Sequence, residues 1–143
     1  MITNIELKYS VGALLYCPAL NNKIAKNIAA EEFGNKYSLA LCLEDTIAPD
    51  MVEQAEQQVR ETLKQIYQVK QSVSATYIPK LFIRVREPQQ MKRVFEAVAD
   101  YQEILTGFIF PKYTLSNAKQ YNEQLLEINN KTSTHTIYMM PIL

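Results

Sequence analysis

Five short apolar runs alternate along this sequence with four segments of helical periodicity, and this alternation is the feature that most restricts the fold. The apolar runs lie at residues 11–17, 38–43, 81–85, 107–110 and 136–143. Strands that alternate with helices pair in parallel through right-handed crossovers. The sequence therefore predicts an α/β fold with the order β-α-β-α-β-α-β-α-β.

The intervening segments carry apolar residues at every third or fourth position, which is the spacing of an amphipathic helix. Gly34 is a C-terminal stop for the first predicted helix, and Pro49 suits the first turn of the second. Ser116 is an acceptable N-cap for the fourth. The predicted helices lie at residues 24–33, 49–69, 89–105 and from 116 onward, with a polar surface loop at 70–79.

Two architectures fit this order of elements. One is a five-stranded doubly wound sheet, and the other is the first half of a (β/α)8 barrel, which typically needs about 250 residues. The lack of a helix after the fifth run argues against the doubly wound sheet. The length of 143 residues argues against the barrel, unless the chain is a fragment or pairs with another half. An apolar last strand at the edge of a sheet would promote aggregation unless something covered it.

Composition argues against several classes of function. The formal net charge is zero, which gives no reason to expect nucleic acid or an anionic membrane as a partner. No apolar run approaches the ~20 residues of a membrane span, and the N-terminus lacks the pattern of a signal peptide. The three glycines form no phosphate-binding motif, which argues against dinucleotide binding and NTP hydrolysis. Cys17 and Cys42 lie inside apolar runs, which predicts two buried, reduced thiols in a cytoplasmic protein.

Charged residues follow three consecutive apolar runs at the points where the predicted strands end. Glu44 and Asp45 come directly after the second run, Arg84 and Arg86 end the third, and Lys112 follows the fourth. The carboxyl ends of parallel strands lie on one rim of a sheet, where ligands bind in α/β folds. Arginine suits bidentate capture of a substrate carboxylate, and paired carboxylates suit proton transfer or holding waters on a divalent cation.

Each of these residues also has a purely structural interpretation. An ion pair between Arg84 and Glu44 could serve only the fold, and Arg86 and Lys112 could be solvated loop charges. The joint occurrence on three consecutive strands favours the functional interpretation, because solvated loop charges have no need to flank buried strands. His135 precedes the fifth run, at the opposite rim, and is predicted to be a solvated loop residue.

Five segments resemble, in order, the first five strands of the citrate lyase beta-subunit family, also called the HpcH/HpaI aldolase family. The segments LLYCPA, CLEDTI, FIRVR and IFPK are similar to the family patterns LLFVPA, DLEDAV, vRiN and lPK, and YMMPIL is similar to the strand before the family's iET motif. The start YSVGALLYCPA and the segment CLEDT resemble most closely a divergent branch of lyase-like barrel proteins from tellurite-resistance-type gene clusters. Together these segments cover nearly the whole chain.

The resemblance implies a (β/α)8-barrel family, represented by a single domain over residues 1–143 with about four βα units and a fifth strand. It implies a Mg²⁺-dependent lyase or aldolase that cleaves or forms carbon–carbon bonds in hydroxy acids or their CoA thioesters. The expected partner is a small carboxylate substrate, with a homo-oligomer as a further possibility. No nucleic acid or membrane partner is expected.

The resemblance implies roles for Glu44, Asp45, Arg84 and Lys112, and the position of Arg86 at the same rim adds a fifth candidate. Arg84 matches the arginine that binds the carboxylate or carbonyl end of the substrate, and Arg84 and Asp45 are the expected catalytic residues. Glu44 and Asp45 match an acidic pair near the metal site that either contacts the metal ion through water or shapes the acyl-donor pocket. Arg86 and Lys112 are expected to help bind the substrate.

Four departures from the family pattern bear on the substrate. Cys42 replaces the first aspartate of DLED, Arg86 replaces the asparagine after the arginine strand, Gly12 stands near the usual basic position, and Ala55 and Glu56 replace a Lys/Arg pair. These changes favour a carboxylate substrate other than a CoA thioester.

The family's main metal ligands, a glutamate after strand five and an aspartate one strand later, fall at or beyond the end of this sequence. We therefore expect a truncated barrel with no lyase activity as an isolated chain. The alternatives are a non-catalytic or self-associating half-barrel and, with less support, a receiver-like doubly wound signalling domain, which would need an aspartate where this chain has Arg84.

Overall fold

The computed structural model describes residues 3–132 and 135–143 and confirms the predicted alternation of strands and helices. An additional short helix precedes the first strand, so the described residues form five strands and five α-helices. The α-helices are α1 (Asn4–Tyr9), α2 (Ile24–Ala29), α3 (Val52–Ser72), α4 (Pro88–Ala97) and α5 (Ala118–Lys131), and the strands are β1 (Ala13–Pro18), β2 (Tyr37–Cys42), β3 (Leu81–Arg84), β4 (Leu105–Phe110) and β5 (Tyr138–Pro141).

The five strands form one parallel sheet in the order β1-β2-β3-β4-β5. Each strand is thus hydrogen-bonded to the next strand in the sequence, and each new strand is added at the same edge of the sheet. This is the winding of a (β/α)8 barrel, whereas a doubly wound sheet reverses at a switch point. The doubly wound alternative, including the receiver-like domain, is therefore wrong, and the α/β partial barrel is confirmed.

The two faces of the sheet have different neighbours. Alternate strand residues such as Leu41, Ile83 and Phe108 pack with residues of α2 to α5 in the main core. The intervening residues form a second, smaller cluster on the other face, which contains Ala40, Phe82 and Ile109 and no residue of those four helices. All four crossover helices therefore cover one face, and the other face corresponds to the interior of a barrel, which we call the concave face.

The helix boundaries differ from the predicted ones for local reasons. Pro49 begins a 3-10 turn that leads into α3, as its fixed φ angle allows. The third predicted helix is divided, because α4 ends at Ala97 and residues 99–104 form a 3-10 helix. The fourth begins later than predicted, with Asn117 rather than Ser116 at the N-cap position.

Helix α1 was not predicted, and its first turn is closed by a capping box. The Thr3 side chain accepts a hydrogen bond from the Glu6 amide at 3.1 Å, and the Thr3 amide donates to the Glu6 carboxylate at 2.7 Å. Lys8 of this helix, Phe82 and Tyr138 help to line a groove of about 430 Å³ at the amino-terminal ends of the strands. This groove lies at the opposite end of the sheet from the predicted site.

His135 lies at the amino-terminal rim, as predicted, but it is not a solvated loop residue. Its side chain is half-buried, and Nε2 lies 2.8 Å from the carbonyl oxygen of Leu105, the first residue of β4. That prediction was wrong because the ring lies against the start of β4 rather than in the solvent. Cys42 is buried as predicted, whereas Cys17 is only half-buried, and both are free thiols.

Gly107 is required by the close approach of β4 and β5. A Cβ atom at this position would lie 2.4 Å from the carbonyl oxygen of Tyr138, which belongs to the backbone and cannot rotate away. Glycine therefore permits the pairing of Gly107 with Tyr138 in the register of the two strands. Among the helices of the described residues, none combines the length and apolarity needed to span a bilayer.

Candidate active site

The predicted charged residues meet at the carboxyl-terminal rim of the sheet. Hydrogen bonds continue past the ends of the strands, because the Leu43 amide donates to the Arg84 carbonyl at 2.9 Å and the Val85 amide donates to the Ile109 carbonyl at 3.2 Å. The backbone around Glu44 is thereby fixed beside the end of β3. Because the two carboxylates directly follow the apolar strand β2 in the sequence, both acids lie at the rim, next to the end of β3.

Arg84 is the centre of the cluster. One terminal nitrogen, Nη2, donates to Glu44 Oε2 at 2.9 Å and to Asp45 Oδ2 at 3.0 Å. The side chain is 18% exposed, and its Nε atom is buried without a hydrogen-bond partner among the described residues. The arginine therefore keeps donor capacity that the two carboxylates do not satisfy.

Tyr16 lies beneath this arginine on the concave face. The guanidinium carbon of Arg84 is 5.8 Å from the centre of the Tyr16 ring, a distance at which a cation is attracted to an aromatic face. Tyr16 and Arg84 reach the same face because each occupies the alternate position of its strand, next to the concave-face residues Leu14 and Phe82. The site thus has an aromatic floor toward the first strand.

Lys112 completes the charge cluster from the end of β4. Its Nζ lies 2.9 Å from Glu44 Oε1, although the side chain is 79% exposed. The backbone of Lys112 has a φ of 50°, which is the left-handed region that non-glycine residues rarely occupy. The Asn117 side chain donates to the Lys112 carbonyl at 2.9 Å and holds this strained turn. Backbone strain of this kind concentrates at functional sites.

The two carboxylates have different environments. The Glu44 side chain is only 8% exposed, while that of Asp45 is 62% exposed. Burial alone would raise the pKa of Glu44, but hydrogen bonding with Asp45 and Lys112, together with the positive charges of Arg84 and Lys112, lowers that pKa to about 2. In turn, the hydrogen bond and charge of Glu44 raise the pKa of Lys112. Glu44 is therefore a permanent anion at neutral pH, and Asp45 is the acid that faces the solvent.

Arg86 is directed toward the backbone of the turn that carries the two acids. Its Nη1 atom lies 3.3 Å, 3.1 Å and 3.2 Å from the carbonyl oxygens of Leu43, Glu44 and Ile47. The structure thus brings Glu44, Asp45, Arg84 and Lys112 together through their side chains, and it joins Arg86 to the same turn through carbonyl groups.

Comparison with protein-family models gives a match over residues 5–143 to the C–C bond lyases of the TIM-barrel fold. The chain belongs to this family. No curated protein sequence gives a significant match. The family assignment agrees with the sequential strand order and with the position of the charge cluster at the carboxyl-terminal rim, where barrel enzymes carry their active sites.

The described side chains of this lyase-family chain do not fit a directly bound metal ion. Within residues 3–132 and 135–143, no three His, Cys, Asp or Glu side chains are grouped so that they could hold one. Both carboxylate oxygens of Glu44 already accept hydrogen bonds, from Arg84 and from Lys112. A metal ion would have to displace two cations to reach that carboxylate. The contact of Glu44 and Asp45 with a metal ion through water therefore stays a prediction.

Sequence analysis of this lyase-family chain missed three residues that shape the site. Tyr16 could have been found from the period-two alternation of β1, which places it on the face that carries Arg84. Gln90 could have been found as a polar residue one turn before the buried Val94, since it is 1% exposed. No sequence pattern indicated the role of Asn117, because that role depends on the conformation of the turn after β4.

Proposed function

We propose that this chain forms the carboxylate-recognition part of a carbon–carbon bond lyase site that acts on a small hydroxy acid. The observation that carries the proposal is the contact of one guanidinium nitrogen of Arg84 with both Glu44 and Asp45 at the rim. An arginine oriented by two acids and lying against an aromatic ring is preorganised, so little entropy is lost when it binds a carboxylate. The resemblance to the citrate lyase beta-subunit family supports the same substrate class.

The charges of the cluster limit what it can bind. Two carboxylates and the two cations Arg84 and Lys112 sum to zero, and Arg86 beside the turn makes the local charge +1. One substrate carboxylate would restore neutrality. Lys112 is the cation that can most easily turn toward it, because its side chain is 79% exposed whereas that of Arg84 is 18% exposed. In this proposal the substrate carboxylate bridges Arg84 and Lys112.

The two acids then take separate parts in the reaction. Cleavage of a 3-hydroxy acid removes the hydroxyl proton, converts the C–OH group to C=O and leaves the bonding electron pair on an enolate, which is afterwards protonated. Asp45 is the acceptor for the hydroxyl proton, because its side chain is 62% exposed and lies 3.0 Å from the Arg84 nitrogen that would hold the substrate. Glu44, with a pKa of about 2, is too weak a base for that step and serves to hold the two cations.

The cofactor and the activity of the chain by itself are part of the same proposal. The family resemblance supports Mg²⁺, with Asp45 holding one of its waters, and a bound ion would supply the Lewis acid that stabilises the enolate. Because the described residues do not fit a directly bound metal, we expect no turnover by the 143-residue chain. A steady-state assay with Mg²⁺ and a panel of 3-hydroxy acids checks this, and measurable turnover would contradict it.

Binding of L-malate by titration calorimetry tests the recognition function. We expect binding that weakens about tenfold in Arg84→Lys, because an ammonium cannot replace the planar fork of the guanidinium. Arg60→Lys is the matched control, since Arg60 is an exposed arginine on α3, and its affinity should equal that of the native chain. Equal affinity of the Arg84→Lys variant would show that Arg84 does not bind the carboxylate.

A non-catalytic half-barrel that is completed by association is the second candidate. It is supported by the sheet of the described residues, in which β1 and β5 each pair on one side only. Tyr16, Tyr138 and Met139 on these two strands are 41–43% exposed. Light scattering on the calorimetry samples identifies the assembly that binds malate, and an assembly with no malate affinity would favour this candidate.

A further inference from the structure

Arg86 makes its hydrogen bonds with the turn after β2 rather than with the carboxylates of the site. The three carbonyls that surround its Nη1 atom belong to Leu43, Glu44 and Ile47, and they span the whole turn. The Ile47 amide also donates to the Glu44 carbonyl at 3.0 Å, and the Ile47 side chain is 4% exposed. The core thus holds the turn through the Ile47 side chain, and one guanidinium holds carbonyl groups at both of its ends.

Gln90 of α4 fixes the backbone of that arginine. Its Oε1 accepts a hydrogen bond from the Arg86 amide at 2.6 Å, and its Nε2 donates to Glu56 of α3 at 2.9 Å. Glu56 in turn accepts two hydrogen bonds from Arg93, at 2.7 Å and 3.0 Å. Gln90 is 1% exposed, so its two hydrogen bonds, with the Arg86 amide and with Glu56, would be costly to lose. A connected set of side chains therefore joins two outer helices to the rim.

We propose that Arg86 is a positioning residue that fixes the turn carrying Glu44 and Asp45, and that Gln90 fixes Arg86. This inference rests on the proposed function in one respect only, namely that the geometry of the two acids matters for binding a carboxylate. It replaces the expectation that Arg86 binds substrate directly. A guanidinium nitrogen with two protons already shared among three carbonyls has little capacity left for a ligand at that atom.

The consequences for the site follow from the distances. If the turn moves by an ångström, the contacts of Arg84 with Glu44 and Asp45, now 2.9 Å and 3.0 Å, exceed hydrogen-bond length. Arg84 would then lose its fixed orientation without any change in its own surroundings on β3. A displacement of α4 would therefore change the orientation of Arg84, because Gln90 fixes Arg86 and Arg86 fixes the turn.

Amide hydrogen exchange and L-malate titration on the full chain test the proposal with four variants. In Arg86→Met and Gln90→Leu we expect the Ile47 amide to exchange about tenfold faster while the core amide of Leu41 changes less than about twofold. Malate affinity should fall about tenfold in both variants. Arg86→Lys should largely restore both properties, because an ammonium has three donors for three carbonyls. Gln89→Leu, an exposed neighbour on α4, is the matched control and should behave as the native chain.

Two patterns would overturn the proposal. In the first pattern, the Ile47 amide exchanges at the native rate in Arg86→Met. Malate affinity is lost in Arg86→Met and in Arg86→Lys but is kept in Gln90→Leu. That pattern would mean that Arg86 is a direct ligand. Equal acceleration at Ile47 and Leu41 would mean that Arg86 and Gln90 only stabilise the fold. If the native chain binds no malate, the proposed function fails, and the exchange data still decide whether Arg86 holds the turn.

Discussion

Replacing Arg84 by methionine is expected to lower the free energy of unfolding by about 3 kcal/mol, the lower end of what breaking a buried ion pair costs. The change leaves Glu44, whose side chain is 8% exposed, as a buried anion with Lys112 as its one remaining cation in the cluster. Methionine keeps most of the arginine volume, so the loss reflects charge rather than a cavity. Urea unfolding of the two proteins at pH 7 measures the difference.

The control is the same substitution at an exposed position. Arg60→Met on α3 removes an exposed guanidinium that lies 5.9 Å from the centre of the Tyr101 ring, and it should cost less than about 1 kcal/mol. A double variant isolates the cause, because Glu44→Gln in the Arg84→Met background removes the uncompensated charge. We expect the double variant to be more stable than Arg84→Met alone. Strictly additive effects of the two substitutions would contradict an interaction between these side chains.

The position of the cluster could be predicted from the sequence because it depends on one simple rule. Apolar runs that end at Glu44, Arg84 and Lys112 must end on the same rim if the strands are parallel. The rule needs only the strand boundaries, which strong hydrophobic patterns define to within two residues. The contacts observed among the three side chains follow directly from that placement.

Other features could not be predicted, because they depend on the conformation of turns. The side chain of Arg86 reaches three carbonyls only because the turn after β2 curves over it, and no pattern of residue types encodes that curvature. The left-handed backbone of Lys112 is similar, since asparagine or glycine would have been the expected residue for a φ of 50°. These are the positions where local preference and observed structure disagree.

Helix α1 differs, because its signal was present in the sequence and was not used. Thr3 and Glu6 have the spacing of a capping box, with a polar residue and Ile5 between them. The helix has no buried residue, so the apolar periodicity that revealed the other helices is absent. A short helix stabilised by its cap rather than by burial is therefore found only through its terminal residues.

Acidification is expected to destabilise the chain through Glu44 in a pH range that the pKa shift defines. Its pKa is about 2 in the folded chain, against an ordinary value of 4.5. Because the folded value is the lower one, the contribution to stability is fully present above pH 4.5 and is lost as the pH falls toward 2. Lowering the pKa from 4.5 to about 2 corresponds to roughly 3 kcal/mol of stability, of which about 2 kcal/mol is lost by pH 3.

Comparison with Glu44→Gln separates this carboxyl from the other acids of the chain. The pKa of Glu56 is also lowered, by its hydrogen bonds with Arg93 and Gln90 despite its burial, so the native curve alone would mix several contributions. The native chain should lose its stability advantage over Glu44→Gln between pH 5 and pH 3, by about 2 kcal/mol in urea unfolding. Parallel curves for the two proteins would mean that Arg84 and Lys112 do not stabilise the ionised form of Glu44. Arg84 and Lys112 are also the proposed ligands of the substrate carboxylate. The same titration therefore measures how strongly Glu44 binds these two cations in the absence of substrate.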